Sequence, residues 1–111
     1  MKWIPLTTSD QLDTISQKST NTPQIIFKHS TRCSISSMAL NRLEREPASD
    51  HADFYFLDLI NNRALSNEVA EKFQVHHESP QILLIKNREC VYDESHQGIS
   101  MQEIEQQLSA N

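Results

Sequence analysis

The chain has 111 residues and a mass of 12.8 kDa, with 37% apolar and 23% charged residues, which predicts one globular domain over residues 1–111. Fifteen acidic residues against ten basic ones give a formal charge of −5, and Lys and Arg form no cluster, so nucleic acid is not an expected partner. The longest apolar run, residues 82–85, is far shorter than the roughly 20 residues that cross a bilayer. We therefore expect no membrane contact and, without a signal peptide, a cytoplasmic location.

The chain begins with a predicted edge strand at residues 3–6, interrupted by Pro5. Thr8 and Gln11 have the spacing of a capping box, in which two side chains satisfy backbone N–H groups at the start of a helix. The sequence therefore predicts a short amphipathic helix that ends near Lys18.

The central part of the chain has the pattern of a βαβ unit. Residues 24–29 are expected to form a strand buried on both faces, and residues 53–59 form the second strong strand. Between them, a helix is predicted from Ser34 to about Glu46, and Pro47 ends it. The apolar positions that keep helical spacing are Ile35, Met38, Ala39, Leu40 and Leu43. Because βαβ crossovers are right-handed, the two strands should be parallel neighbours.

The second half of the chain predicts a helix at about 64–73, followed by a hairpin of strands 81–86 and 90–95 with a turn at 87–89. A last helix begins after Ser100, which has an acidic residue three positions on, and its apolar residues are Met101, Ile104 and Leu108. This order of elements predicts an α/β fold with a mixed central sheet of four to five strands and helices on both faces.

Cys33 lies between the predicted strand 24–29 and the helix that begins at Ser34. Unpaired N–H groups and the positive end of the helix dipole at a first helical turn favour a thiolate over a thiol, and Arg32 adds a positive charge. We therefore expect Cys33 to have a lowered pKa and to be a nucleophile. A buried, inert cysteine is the alternative, but its neighbours are polar and the loop follows a parallel strand, where sites of α/β proteins collect.

The run 27–36, together with Pro80 before the apolar strand 82–86, resembles the thioredoxin-like superfamily. The sequence is more similar to the monothiol bacilliredoxins, the YtxJ-like bacillithiol-system proteins of low-GC Gram-positive bacteria. Their Thr-x-Cys-Pro-Ile-Ser signature is matched by Thr31, Cys33, Ile35 and Ser36. Ser34 stands where that family usually has proline, and the likeness extends over essentially the whole chain.

The resemblance implies a thioredoxin-like three-layer fold in which Pro80 is a cis proline facing Cys33. It also implies thiol-disulfide exchange. Because Ser36 occupies the position of the second cysteine in two-cysteine relatives, Cys33 should attack a mixed disulfide, keep the small thiol and wait for a second thiol molecule. The residues themselves indicate only a low-molecular-weight thiol, whereas the resemblance implies bacillithiol as a transient adduct, bacillithiolated client proteins and no tightly bound cofactor.

The residues that would hold the small thiol are Thr31, Arg32 and Ser79, each of which is equally compatible with plain loop solvation. Arg32 is suited to a carboxylate of the ligand, and the backbone of Ser79 to an extended thiol backbone. Ser34 adds an N–H donor that proline lacks, so we expect it to lower the Cys33 pKa slightly. Gly98, the only glycine, is expected to serve a turn.

The other cysteine and the adjacent histidines do not favour a disulfide or a metal site. Cys90 is predicted at the opposite end of the sheet from Cys33, too far for a disulfide. His76 and His77 lack the spacing of zinc ligands, so we expect exposed loop imidazoles and no metal site. A non-catalytic adaptor or redox-sensing module remains an alternative function. An iron–sulfur carrier is a weaker one, because the sequence after Cys33 lacks the Gly and Phe of the Cys-Gly-Phe-Ser loop.

Overall fold

The computed structural model describes residues 2–31, 33–47 and 50–110. Within them, the strands are β1 (Ile4–Pro5), β2 (Gln24–His29), β3 (Asp53–Asp58), β4 (Gln81–Lys86) and β5 (Glu89–Ser95). The α-helices are α1 (Ser9–Lys18), α2 (Ser34–Arg45), α3 (Arg63–Phe73) and α4 (Met101–Ser109), and a short 3-10 helix (His96–Gly98) precedes α4. The predicted strands and helices are therefore present, with boundaries shifted by at most one residue.

Local signals in the sequence explain where several of these elements begin. The N–H of Thr8 donates to Oε1 of Gln11 over 3.0 Å, and the N–H of Glu103 donates to Oγ of Ser100 over 3.2 Å, so both predicted helix caps are used. The hairpin turn is shorter than predicted. Glu89 already belongs to β5, because Asn87 and Arg88 both have positive φ, and a two-residue turn of this kind matches the twist of its strands.

The five strands form one sheet in the order β1-β3-β2-β4-β5. The first three in this order are parallel, whereas β4 is antiparallel to both β2 and β5. The predicted mixed sheet is thus confirmed. Its register pairs Lys28 with Gln81 and His29 with Asp58, so the end of β2, the end of β3 and the start of β4 meet at one edge, called here the active edge.

Helices cover both faces of the sheet, as predicted. The core on the α1/α3 side comprises Leu6, Leu12, Ile15, Ile26, Tyr55, Leu57, Leu65, Val69, Phe73, Leu83 and Ile85. The core on the α2/α4 side comprises Ile25, Phe27, Ala39, Leu43, Phe54, Ile82, Leu84, Ile99, Met101 and Ile104. In the described part of the chain, no helix has both the length and the hydrophobicity needed to span a bilayer.

Two of the apolar positions of α2 do not face the sheet. Ile35 and Met38 are 43% and 59% exposed, while Ala39 and Leu43 are fully buried. The sheet covers only the side of α2 that carries Ser36, Ala39 and Leu43. The apolar side chains near the start of α2 are consequently left on the surface beside Cys33.

Candidate active site

Cys33 is the N-cap residue of α2, directly after the turn that follows β2. Its N–H donates to the carbonyl of Ser30 over 3.0 Å, and its own carbonyl accepts the N–H of Ser37 over 3.1 Å. These bonds fix the backbone on both sides of a half-buried thiol. The side chain of Cys33 therefore lies at the first turn of α2, as predicted.

The pKa of the Cys33 thiol is lowered, chiefly because the backbone N–H of Ser36 approaches its sulfur. The Ser36 hydroxyl and the N–H of Ile35 act in the same direction, and partial desolvation opposes them. A thiolate held by first-turn N–H groups is what the position of Cys33 predicts. Arg32, expected to add charge, lies outside the described residues, and the effect of Ser34 on this pKa stays a prediction.

Ser36 occupies the position three residues after the nucleophile. It is fully buried on the sheet side of α2, and its Oγ has no hydrogen-bond partner among the described residues apart from this approach to the Cys33 sulfur. A buried hydroxyl without an acceptor costs free energy that a hydrogen bond to an ionised thiol recovers. Ser36 is therefore placed to stabilise the thiolate, although it cannot form a disulfide with it.

The alkylation rate of Cys33 should rise with pH along a titration with a midpoint below about 8.5, the ordinary pKa of a thiol, because the thiolate is the reactive form. Ser36→Ala should move that midpoint upward, so alkylation at pH 7 should slow. The measurement uses iodoacetamide and a Cys90→Ser background. Ser34→Ala, which removes an exposed hydroxyl and keeps the N–H, should leave the midpoint unchanged. A midpoint at about 8.5 or above in the parent protein would contradict the lowered pKa.

Pro80 lies at the active edge, and the Ser79–Pro80 peptide bond is cis, as the resemblance implies. The register of β2 and β4 places Pro80 one residue beyond the Lys28–Gln81 pair, next to the end of β2. The carbonyl of Pro80 accepts the N–H of His96 over 3.0 Å, and Oγ of Ser79 is buried without a hydrogen-bond partner among the described residues. Cys33 and Pro80 therefore share one edge of the sheet.

His29, the last residue of β2, was not predicted as a site residue. It is 3% exposed, its ring packs against Phe27 and Phe56, and neither ring nitrogen has a hydrogen-bond partner among the described residues. Burial lowers the pKa of the imidazole, while the charges of Asp58 and Glu44 oppose that shift. The feature of the sequence that could have singled out His29 is its position at the end of a strand predicted to be buried.

The two adjacent histidines have different surroundings. The side chain of His76 is 90% exposed and lies 3.7 Å from a carboxylate oxygen of Glu78, as expected of a loop imidazole. The prediction is wrong for His77, which is half-buried, with its Nδ1 3.1 Å from Nζ of Lys28 and 3.3 Å from Oγ of Ser66. Burial and the charge of Lys28 lower the His77 pKa.

Both cysteines are free thiols. Cys90 pairs with Ile85 in the sheet, and Ile85 lies opposite Gln24 at the start of β2, so Cys90 is at the far end from Cys33, as predicted. Its Sγ donates to the carbonyl of Tyr92 over 3.3 Å, and burial raises its pKa to about 11. A thiol with that pKa is a poor nucleophile at neutral pH.

Solved structures define the class of protein. A candidate oxidoreductase with a thioredoxin fold is 31% identical, with a TM-score of 0.77 over 93% of this chain and 90% of that one. The thioredoxin of Malassezia sympodialis is 16% identical, with a TM-score of 0.74 over 97% and 89% of the two chains. Thioredoxin f from spinach chloroplasts is 13% identical, with a TM-score of 0.70 over 96% and 90%. The chain is thus a thioredoxin-fold protein.

The family follows from the sequence match. Residues 4–104 match the family model described as monothiol bacilliredoxin BrxC, and the chain belongs to that family. The resemblance drawn from the residues around Cys33 is thereby confirmed, and so is a thiol redox function of the bacilliredoxin kind.

Proposed function

We propose that this protein removes bacillithiol from mixed disulfides on protein cysteines, with Cys33 as the nucleophile, and that it does so in the cytoplasm, where free thiols persist. The observation that carries the proposal is a thiol of lowered pKa at the start of α2 with a serine, Ser36, in the place of a second cysteine. Thr31, Arg32, Ser34, Ser79 and Pro80 complete the proposed site.

The exchange proceeds in two balanced steps. The Cys33 thiolate attacks the bacillithiol sulfur of the protein–bacillithiol disulfide, and the client cysteine leaves as a thiolate that takes a proton from solvent. A second thiol molecule, as its thiolate, then attacks the bacillithiol sulfur on Cys33. That attack forms a small-molecule disulfide and returns Cys33 as a thiolate. A second thiol molecule is needed because Cys90, the other cysteine, lies at the far end of the sheet.

The surroundings of Cys33 support a protein as the source of the mixed disulfide. Ile35 and Met38 are exposed on the first turns of α2, and Ile60 is 39% exposed just after β3 at the same edge. Apolar side chains in this position favour contact with another protein surface. The polar part of the edge, with the Ser79 hydroxyl left without a partner among the described residues, suits a hydrophilic thiol.

Intact mass after brief incubation with oxidised bacillithiol tests the proposal. We expect one adduct on the parent protein and on Cys90→Ser, no adduct on Cys33→Ser, and release of the adduct by free bacillithiol. A bacillithiolated client in excess should then be reduced over many turnovers. An adduct on Cys90, or no adduct at all, would contradict the proposal, and one equivalent without turnover would favour the redox-sensing module instead.

A further inference from the structure

Lys28 is a buried cation that the exchange reaction does not use directly. It is the fifth residue of β2, its side chain is fully buried on the α1/α3 side, and burial lowers its pKa to about 8. It has no ion pair with a carboxylate among the described residues. Holding an ammonium group away from water costs free energy, and replacing such a group by an apolar side chain is often neutral or stabilising. The burial of Lys28 therefore calls for another explanation than stability.

The contacts of Lys28 connect three parts of the molecule. Nζ donates to the backbone carbonyl of Ser66 in α3 over 3.2 Å and to Nδ1 of His77 over 3.1 Å. Because an ammonium group can only donate, Nδ1 must accept, and the neutral ring carries its proton on Nε2. Oγ of Ser66, 3.3 Å from the same nitrogen, can donate to it in this tautomer. Lys28 thus attaches His77 to β2 and α3.

Gln81 holds the same segment from the neighbouring strand. It lies opposite Lys28 in the register, is 1% exposed, and its Nε2 donates to the carbonyl of His76 over 3.0 Å. Its Oε1 accepts the N–H of Glu78 over 3.4 Å. Lys28 and Gln81, here called the polar clamp, therefore contact residues 76–78, which lead directly into Ser79 and the cis Pro80.

We propose that Lys28 is a positioning residue for thiol exchange: through His77 it fixes the segment 76–79 that carries Ser79 and Pro80 to the active edge. The inference rests on the proposed function, in which this edge receives the small thiol. Backbone groups beside Pro80 bind a thiol productively only when their position is fixed, and a misplacement of about 1 Å can cost up to 100-fold in rate. The buried cation supplies that fixation.

Lys28→Met is the direct test, because it keeps the length of the side chain and removes the donor. We expect kcat/KM for a bacillithiolated client to fall about tenfold. The midpoint of Cys33 alkylation should stay unchanged. The melting temperature should stay unchanged or rise. Amide exchange at Glu78 and Ser79 should become faster. Lys72→Met, the same substitution at an α3 lysine that forms an exposed ion pair with Asp13 of α1, is the matched control and should change none of these.

A double-mutant cycle separates positioning from general damage. His77→Leu removes the acceptor, so it should reproduce the loss seen in Lys28→Met, and the double variant should lose no more than either single one. His77→Gln, which keeps an acceptor, should retain most of the activity. Additive losses, or activity that falls only in step with the melting temperature, would overturn the proposal, as would unchanged amide exchange at Glu78 and Ser79.

The two proposals fail in different ways. If the parent protein exchanges no bacillithiol, the proposed function fails, yet the amide exchange of Lys28→Met still reports on the polar clamp. If the parent protein is active and Lys28→Met is equally active, the proposed function stands and the positioning by Lys28 is wrong.

Discussion

Ser36→Cys is expected to convert the protein from a one-thiol into a two-thiol exchanger. The N-cap and third positions of a helix lie one turn apart, and their Cβ atoms are then about 5 Å from each other, close to disulfide range. A cysteine at position 36 should therefore attack the Cys33–bacillithiol adduct from within the chain. Mixing the reduced variant with oxidised bacillithiol should release both bacillithiol molecules and leave an intramolecular disulfide, whereas the parent protein keeps one molecule as an adduct.

Intact mass without added thiol measures this outcome. The variant should lose about 2 Da, for the two hydrogen atoms of the new disulfide, and carry no adduct. Ser34→Cys is the matched control, because it adds an exposed cysteine beside Cys33 in a position where a disulfide would be strained. We expect it to keep the adduct on Cys33. A persistent Cys33 adduct in Ser36→Cys would show that position 36 does not reach the sulfur.

Phe27→Ala is expected to cause the largest loss of stability. Phe27 is fully buried at the centre of β2, and its ring centroid lies 5.6 Å from that of Trp3 and 6.0 Å from that of Phe56. Removing a buried aromatic ring costs about 3–5 kcal/mol, out of a total of roughly 5–15 kcal/mol for a domain of this size. Urea unfolding followed by circular dichroism should show this loss in the free energy of unfolding.

Val91→Ala is the control for the core substitution. Val91 lies on β5 and is 52% exposed, so its truncation should change the free energy of unfolding by no more than about 0.5 kcal/mol. A loss below about 1 kcal/mol in Phe27→Ala would mean that the α2/α4 side of the core closes around the missing ring.

Much of the fold could be predicted because hydrophobic periodicity and caps are local signals. The all-apolar run in β4 and the caps at Thr8 and Ser100 each depend on a few neighbouring residues. The exposure of Ile35 and Met38 could not be predicted in the same way. Helical spacing says which residues share a face of α2, but how far the sheet extends beneath that face depends on the ends of β2 and β3.

The positions of two predicted site residues in the fold could also be predicted. Cys33 and Pro80 stand next to elements that the sequence defines, so their meeting at one edge followed from the order of the strands. The contacts of Lys28 could not be inferred, because its partners Ser66 and His77 are 38 and 49 residues away in the chain. The feature of the sequence that could have indicated these contacts is a lysine within a strand predicted to be buried on both faces.

The two outer strands of the sheet bear on how the protein behaves at high concentration. An outer strand with free N–H and C=O groups can pair with another molecule and start aggregation. Here β1 has only two residues, one of them Pro5, which has no N–H to offer. The other outer strand, β5, carries the acidic residues Glu89, Asp93 and Glu94 and is offset by an irregularity where it pairs with Leu84 and Ile85. Both outer strands thus discourage self-association, which leaves the active edge free to contact other proteins.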